Sequence, residues 1–381
     1  MNDQDLEAWC DETLPELYDE GMFDLEEISE DVWDSFTAAI EPILEAFDEE
    51  EEERDRMAEA LTDAARAWFK AHHDLVIDSL TTVPVETVSA LCNKPQTAQH
   101  SADWYNQRRN RLTASEFAQI LDGRRGSLLK QKLASDKGDR VGFNAPIGIC
   151  QPDGEMNATT WGHRFESITR RIYELEIAGT NTVNDTLGRF THPTVPWLSA
   201  SPDGLVTTGP LRGRLVEIKS PKTRQPGEFV PDEYYVQMQI QMEVCDLDAV
   251  DFVEAQFAQR PADNMSDADA IACAAAAWKG RIEVRGYLDD SSTWRYHYTE
   301  PVEDLEDAIF TTADEGSPLL ESSIWWLVKN GWHPRTVLRH AGWWQTIGWP
   351  NAQLFWAEVC SLRDQQTETV EHVERIGWVG S

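Results

Sequence analysis

Lysine is scarce in this 381-residue chain: there are nine, and Lys and Arg together number 33 against 68 Asp and Glu, a formal charge of −35 at pH 7. Such a deficit of positive charge argues at first sight against a nucleic-acid ligand. Cysteine is sparse as well. The six cysteines, Cys10, Cys92, Cys150, Cys245, Cys273 and Cys360, stand far apart with no Cys-x-x-Cys pair, which argues against a zinc or iron–sulfur site and against a disulfide scaffold. No run of eighteen apolar residues occurs, and the N-terminal stretch is dense in acid where a signal peptide would be basic and then apolar. A soluble, intracellular protein is the expectation, with room for two or three domains.

The charge that is present is unevenly placed. Residues 1–100 hold 28 acidic and 5 basic residues, whereas residues 101–230 hold 14 and 18. The acid is therefore concentrated outside a mildly basic middle, which removes the objection to a nucleic-acid ligand there. An acidic appendage and a proteome adapted to high salt both account for the imbalance.

Residues 1–80 carry apolar side chains at helical spacing, in Leu25, Ile28, Val32, Trp33 and Phe36 and again in Met57, Leu61, Ala64, Ala65 and Trp68, so an acidic helical appendage is expected. Its run Asp48–Glu53 reads as a solvated helix end or as a DNA mimic that competes for the basic middle. Residues 81–100, with Pro84 and Pro95, read as a linker. Thr113 followed by Glu116 spells a capping box, so a helix should start there and run through Phe117, Ile120 and Leu121. Its first-turn amides favour an anion, and Ser115 with a nearby arginine could hold a phosphate; a capped helix with exposed arginines is the plainer reading. Residues 122–158 read as a surface loop. Trp161-Gly162 opens a helix with Phe165, Ile168, Ile172 and Leu175 on its apolar face. Glu166, on the border of that face, needs a partner, either a shared metal or Arg170 at i+4. His192, before Pro193, reads as a turn residue.

The stretch Trp197–Pro221 organises the rest. Ser201-Pro202-Asp203-Gly204 is a turn, with Pro presetting φ and Gly accepting positive φ, and it leads into two short strands. Period-two alternation puts Val216 and Ile218 on one side and Leu215, Glu217 and Lys219 on the other. If the strands pair antiparallel, Asp203 comes beside Glu217. Two carboxylates and an ammonium on a rigid sheet suit a hard divalent cation that activates water against phosphorus, with Lys219 orienting that water. An amphipathic hairpin with a solvated Glu/Lys face is the competing reading. Beyond it, Asp232–Cys245 is an amphipathic helix with Tyr234, Gln237 and Gln241 on one face and Tyr235, Met238, Met242 and Cys245 on another. Residues 250–257 read as a strand, 268–279 as a helix and 280–298 as a hairpin. The tryptophan-rich remainder, with Trp325, Trp326, Trp332, Trp343, Trp344, Trp349, Trp356 and Trp378, reads as core or an oligomer interface.

Five motifs recur in a suggestive order: Trp104 with Arg108 and Thr113-Ala114-Ser115-Glu116, Trp161-Gly162 through Glu166, Ser201-Pro202-Asp203-Gly204, Glu217-Ile218-Lys219, and Tyr234-x-x-Gln237-x-Gln239. Together they resemble the phage lambda exonuclease and YqaJ viral recombinase family of the PD-(D/E)xK nuclease superfamily, over residues 101–257. The resemblance implies an α/β (α+β) fold: a restriction-endonuclease-like core at 101–300, its mixed central sheet flanked by helices, between the acidic helical region and the Trp-rich region 301–381. It implies a 5′-to-3′ exonuclease that digests one strand of linear duplex DNA and leaves a 3′ tail. Glu166, Asp203 and Glu217, with the Ile218 carbonyl, would hold Mg²⁺, Mn²⁺ being an alternative ion. Lys219 would position the attacking water, Gln237 would complete the site with support from Tyr234, and Arg108 and Ser115 would bind the 5′-terminal phosphate. The implied partners are duplex DNA ends and a single-strand annealing protein; some relatives are ring-shaped trimers, so a homo-oligomer is implied by resemblance alone, no membrane is expected, and a virus or phage origin fits. Two other readings stay open, an endonuclease with the same site and a catalytically silent structural or interaction protein that has kept the fold.

Overall fold

The computed structural model describes residues 51–99, 101–134, 156–179, 183–227, 229–286, 294–310 and 317–378. The expected helices before Glu51 lie outside these residues, as does most of the expected 122–158 loop. The chain divides into two compact units, Met1–Thr81 with Gly227–Tyr235, and Thr82–Pro226 with Val236–Ser381. In the first, α1 (Glu51–Ser79) follows the apolar spacing read from the sequence and buries Leu61 and Ala65. Its outer face carries an i,i+4 pair, Lys70 to Asp74 at 2.9 Å, of the kind that adds a few tenths of a kcal/mol to an exposed helix, about 0.3–0.5.

The second unit runs α2 (Val85–Cys92), α3 (Ala102–Gln107), β1 (Leu112–Thr113), α4 (Ala114–Leu121), α5 (Arg125–Leu133), α6 (Ala158–Tyr173), β2 (Val183–Asn184), β3 (Phe190–Thr191), β4 (Leu198–Ala200), β5 (Gly204–Val206) and β6 (Leu215–Lys219). The helix α7 (Asp232–Cys245) belongs to the second unit from Val236 onward, and that unit continues with β7 (Ala249–Pro261), α8 (Asp267–Ala275), β8 (Lys279–Gly286), β9 (Trp294–Tyr298), β10 (Leu319–Leu338) and α9 (Trp349–Trp378). A mixed seven-stranded sheet in the order β2-β5-β6-β7-β10-β8-β9 forms the centre. The β6 and β7 strands are parallel and α7 is their crossover; the other pairs in this sheet are antiparallel. Such a crossover buries both faces of its strands, and Ala249–Ala255 is accordingly buried at every position. The expected α/β class, with a mixed sheet flanked by helices, is therefore what the chain forms.

Side-chain alternation sorts the two faces. Val216, Ile218 and Val253 pack with Tyr173 at the C-terminal end of α6, and Phe165, Ile168 and Ile172 pack on Ala255, Phe257 and Trp325. Phe165 and Phe257 stack with centroids 4.7 Å apart. The opposite face of β6 carries Glu217 and Lys219.

The sheet does not stop at residue 300. Strand β10 inserts between β7 and β8, so the first tryptophans of the C-terminal region are sheet residues. Trp325 joins the α6 face, and Trp326 faces the other way onto Cys273 and Ile324. A bulge separates Leu327 from Trp332, with Asn330 at φ 56° and Gly331 so close to the chain that a Cβ would lie 2.8 Å from the Val328 carbonyl oxygen. Further on, Trp356 of α9 stacks on Trp197 at 5.3 Å, and Trp349 lies 6.1 Å from the same ring.

Three local expectations change. The stretch read as a linker contains α2, which buries Val88 and Leu91; its prolines flank the helix and do not interrupt it. The stretch read as a surface loop contains α5, which buries Leu128 and Lys132. The alanine-rich helix ends at Ala275, because Ala276 turns the chain and Lys279 already belongs to β8.

Candidate active site

Strands β5 and β6 pair antiparallel with Gly204 opposite Val216 and Leu205 opposite Leu215, and this register brings Asp203 beside Glu217. The turn is locked from both sides. Asp203 donates its backbone N–H to the Val216 carbonyl at 3.1 Å, and its Oδ2 accepts the Ile218 N–H at 2.8 Å. Gly204 is required for a reason other than the expected positive φ, since among the described residues the positive-φ glycines are Gly179, Gly209 and Gly213. A Cβ at Gly204 would instead lie 2.7 Å from Cγ1 of Val183 and 3.3 Å from Cβ of Val216.

Glu217 is 1% exposed and is held by three donors. Lys219 and Gln237 both donate to Oε1, the amide at 2.6 Å, and Gln241 donates to Oε2 at 2.6 Å. Since each carboxylate oxygen offers about two lone-pair sites, Oε2 keeps one for a further ligand. Gln237 and Gln241, one helical turn apart on α7, thus form the amide face expected from spacing. Gln239 points away from Glu217. Its Nε2 donates to the Leu338 carbonyl and its Oε1 accepts from the His340 N–H, both at 2.8 Å, bracing the end of β10. Tyr234, half-buried on the first turn of α7, lies one turn before Gln237.

The electrostatics are those of crowded anions. Burial first, then repulsion from Glu217 and Glu166, pushes the Asp203 carboxyl well above its usual range, against the pull of Lys219 and of the Ile218 N–H. Three carboxylates therefore share a field that one ammonium leaves unneutralised, and their oxygen donors are those a hard divalent cation takes. Among the described residues, no three His, Cys, Asp or Glu side chains are already gathered tightly enough to hold a metal. Arg170, the expected i+4 partner of Glu166, binds Asp185 at 2.7 Å instead, and Glu166 lies 3.6 Å from Nδ1 of His163.

A second polar cluster gathers at the start of α4. The Glu116 carboxylate accepts from the Thr113 N–H at 3.1 Å and from the Thr113 hydroxyl at 2.7 Å, within the expected capping box. It also binds Arg108, whose NH2 lies 3.2 Å away, and the buried Lys132 at 2.7 Å. Burial raises the Glu116 carboxyl, but Lys132 and Arg108 outweigh it and the net shift is downward. Burial also lowers the Lys132 ammonium, and Glu116 offsets only part of that. Arg189 lies 4.6 Å over the Trp104 ring and Arg108 5.6 Å from the same ring. Burial and the neighbouring Arg108 and Arg111 push Arg189 down to about 10, with Glu116 acting in the opposite sense. Ser115 is exposed one residue before Glu116, so Arg108 and Ser115 flank the same helix start.

Sequence reasoning reads Glu116 only as a cap and passes over Lys132 and Arg189, which share no motif with it and are joined to it only by the fold. His192 is the turn residue expected: its Nδ1 accepts from the Thr194 and Val195 N–H groups at 3.2 and 3.1 Å.

The chain is 28% identical over 176 residues to the uncharacterized protein R354 of Acanthamoeba polyphaga mimivirus, a match that covers 42% of this chain and 30% of that protein. Solved structures similar to it include the alkaline exonuclease LHK-Exo of Laribacter hongkongensis, at 19% identity and a TM-score of 0.40, covering 72% of this chain and all of that one. A phage-related exonuclease of Haemophilus somnus 129PT matches at 14% identity and a TM-score of 0.36, covering 68% of this chain and 96% of that one. The segment that holds both clusters, residues 103–248, matches the family model of the YqaJ-like viral recombinase domain, the family that its motifs resemble.

Proposed function

We propose that the chain is a metal-dependent DNA exonuclease that digests linear duplex DNA 5′ to 3′ and leaves 3′ single-stranded tails for recombination or repair. The observation that carries the reading is the pairing of Asp203 with Glu217 next to Lys219, with Gln237 and Gln241 fixing the direction of the Glu217 carboxylate. The match of residues 103–248 to the YqaJ-like viral recombinase domain supports a nuclease that acts in recombination.

Glu166, Asp203 and Glu217, with the Ile218 carbonyl, would hold Mg²⁺ or Mn²⁺. Such an ion, when bound, polarises a phosphoryl oxygen and makes water a stronger acid. The chain's own groups do the rest. Lys219, anchored on Glu217, orients the attacking water and stabilises the charge that develops on the phosphoryl group. Gln237 and Gln241 keep Glu217 in place while leaving its charge intact, and Tyr234 supports that helix start. Arg108, on the Trp104 ring, and Ser115, at the helix start, receive the 5′-terminal phosphate where amides and dipole favour an anion. Duplex DNA ends are the substrate, and an annealing protein would take the 3′ tail.

The test uses the purified chain with Mg²⁺ and linear duplexes with and without a 5′ phosphate, alongside a closed circle. Nucleotide release from linear DNA alone, faster with the phosphate, is the expected result. Nicking of the circle would make the site endonucleolytic, and no release with either Mg²⁺ or Mn²⁺ would overturn the enzyme.

A further inference from the structure

A fourth carboxylate lies beside the candidate lysine. Strand β7 pairs with β6 so that Glu254 stands directly opposite Lys219, and paired residues of parallel strands share a face. Glu254 is fully buried. Its Oε1 binds NH2 of Arg224, while its Oε2 is buried with no hydrogen-bond partner.

Packing gives no reason for this arrangement. The neighbours of Glu254 on β7 include Phe252, Val253 and Ala255, all fully buried, and an apolar residue at 254 would remove the desolvation penalty and the unpartnered oxygen together. What the carboxylate does is hold a guanidinium. Arg224 sits in the loop that leaves β6 five residues after Lys219, and 41% of its side chain is exposed. The same loop is fastened to α6 and the residues before it: Ser220 and Thr169 share a hydrogen bond at 2.9 Å, and Lys222 donates to the Met156 carbonyl at 2.6 Å. A fastened loop and a buried anchor fix the position of a cation at the rim of a carboxylate cluster. A planar guanidinium carries five donors, enough to bind a carboxylate and a phosphate together.

We infer that Arg224 binds a backbone phosphate of the DNA strand lying in the site, and that Glu254 is the positioning residue that holds it there. The inference rests on the nuclease reading above and adds a contact which that reading does not contain. It also explains how a strand is held against a face bearing several carboxylates, since a cation at the rim offsets their repulsion of the approaching backbone.

The test measures binding of a labelled linear duplex in Ca²⁺ across a salt series, and cleavage in Mg²⁺ at DNA well below saturation. Arg224→Gln should weaken binding about tenfold, as for one charged hydrogen-bonded contact, and reduce the slope of log affinity against log salt by about one. Cleavage at DNA well below saturation should fall with the binding, by about the same factor. Arg224→Lys should restore the salt slope by restoring the charge, and Glu254→Gln should weaken binding in the same direction as Arg224→Gln. Unchanged affinity and slope in Arg224→Gln, with the wild type still binding and digesting DNA, would overturn the inference and leave the nuclease reading standing. A wild type that neither binds nor digests DNA would overturn both.

Discussion

Gln241 donates from Nε2 to Oε2 of Glu217 at 2.6 Å, and one turn earlier on the same helix Gln237 holds Oε1 at the same distance. Two neutral amides thus set the direction of a buried carboxylate without cancelling its charge. A lysine or arginine in either place would hold it as firmly but would compete with a cation for it. The sequence feature behind the arrangement is the four-residue spacing on one helix face, and its consequence is a β6 strand whose anion is aimed before any ligand arrives.

Replacing Gln241 with Met keeps the volume and removes the donor. Supporting groups of this kind are worth about 10–100-fold in metal affinity or activity, and a buried acceptor left unpaired costs about 1–3 kcal/mol of stability. Activity as a function of Mg²⁺ concentration should show a weaker half-saturation, and urea unfolding should shift to a lower midpoint. A variant with wild-type metal dependence would show that Gln237 and Lys219 orient Glu217 without help.

Burial, then repulsion from Glu217 and Glu166, raises the Asp203 carboxyl, so its charged form is disfavoured in the metal-free fold. Asp203→Asn keeps an oxygen to accept the Ile218 N–H but removes the charge, so cleavage should be abolished while the metal-free protein becomes more stable. The melting temperature should rise by about 2–4 °C for each kcal/mol relieved, the usual scale for domains of this size. The sign with pH follows from the raised carboxyl. Because the folded state binds the proton more readily, the wild type gains stability as pH falls from the raised value towards the ordinary 3.8. The advantage of Asp203→Asn should therefore shrink as pH is lowered. Divalent cation should raise the melting temperature of the wild type more than that of the variant.

Glu116 and Lys132 form a buried pair at 2.7 Å that joins α4 to α5. Removing one partner of such a pair strands the other, at about 3–5 kcal/mol. Lys132→Met should be destabilising on that scale in urea, and Glu116→Gln added to it should recover part of the loss. Additive losses in the double variant would show that the two groups do not depend on each other.

The site was more legible in the sequence than its surroundings. Asp203, Glu217 and Lys219 follow from a turn and a period-two strand, because local rules decide them. The amide face of α7 follows from helical spacing. Lys132 was hidden because a lysine in a Gly- and Lys-rich stretch reads as solvated, whereas its burial is compensated by the Glu116 carboxylate, sixteen residues earlier in the chain, and by the Arg108 carbonyl. Arg224 and Glu254 were hidden for the same reason, since their link depends on the parallel register of β6 with β7. The tryptophans read as core or an oligomer interface, but Trp325, Trp326 and Trp332 do not read as strand β10, because a twenty-residue strand with a bulge shows no clean alternation.

Gly204 offers the sharpest check on the turn that carries Asp203. A methyl group there would stand 2.7 Å from Val183 Cγ1 and 3.3 Å from Val216 Cβ, inside van der Waals contact with two side chains of a packed cluster that also contains Val206 and Ile218. Overpacking of this kind costs about 1–3 kcal/mol, and the strain falls on the backbone one residue from the carboxylate. Gly204→Ala should therefore lower both stability and cleavage. Since Val183 makes the closer contact, Val183→Ala in the same chain should restore stability in part and bring activity back with it. If φ at residue 204 were the reason for glycine, shortening Val183 would recover neither, so the double variant separates the two causes.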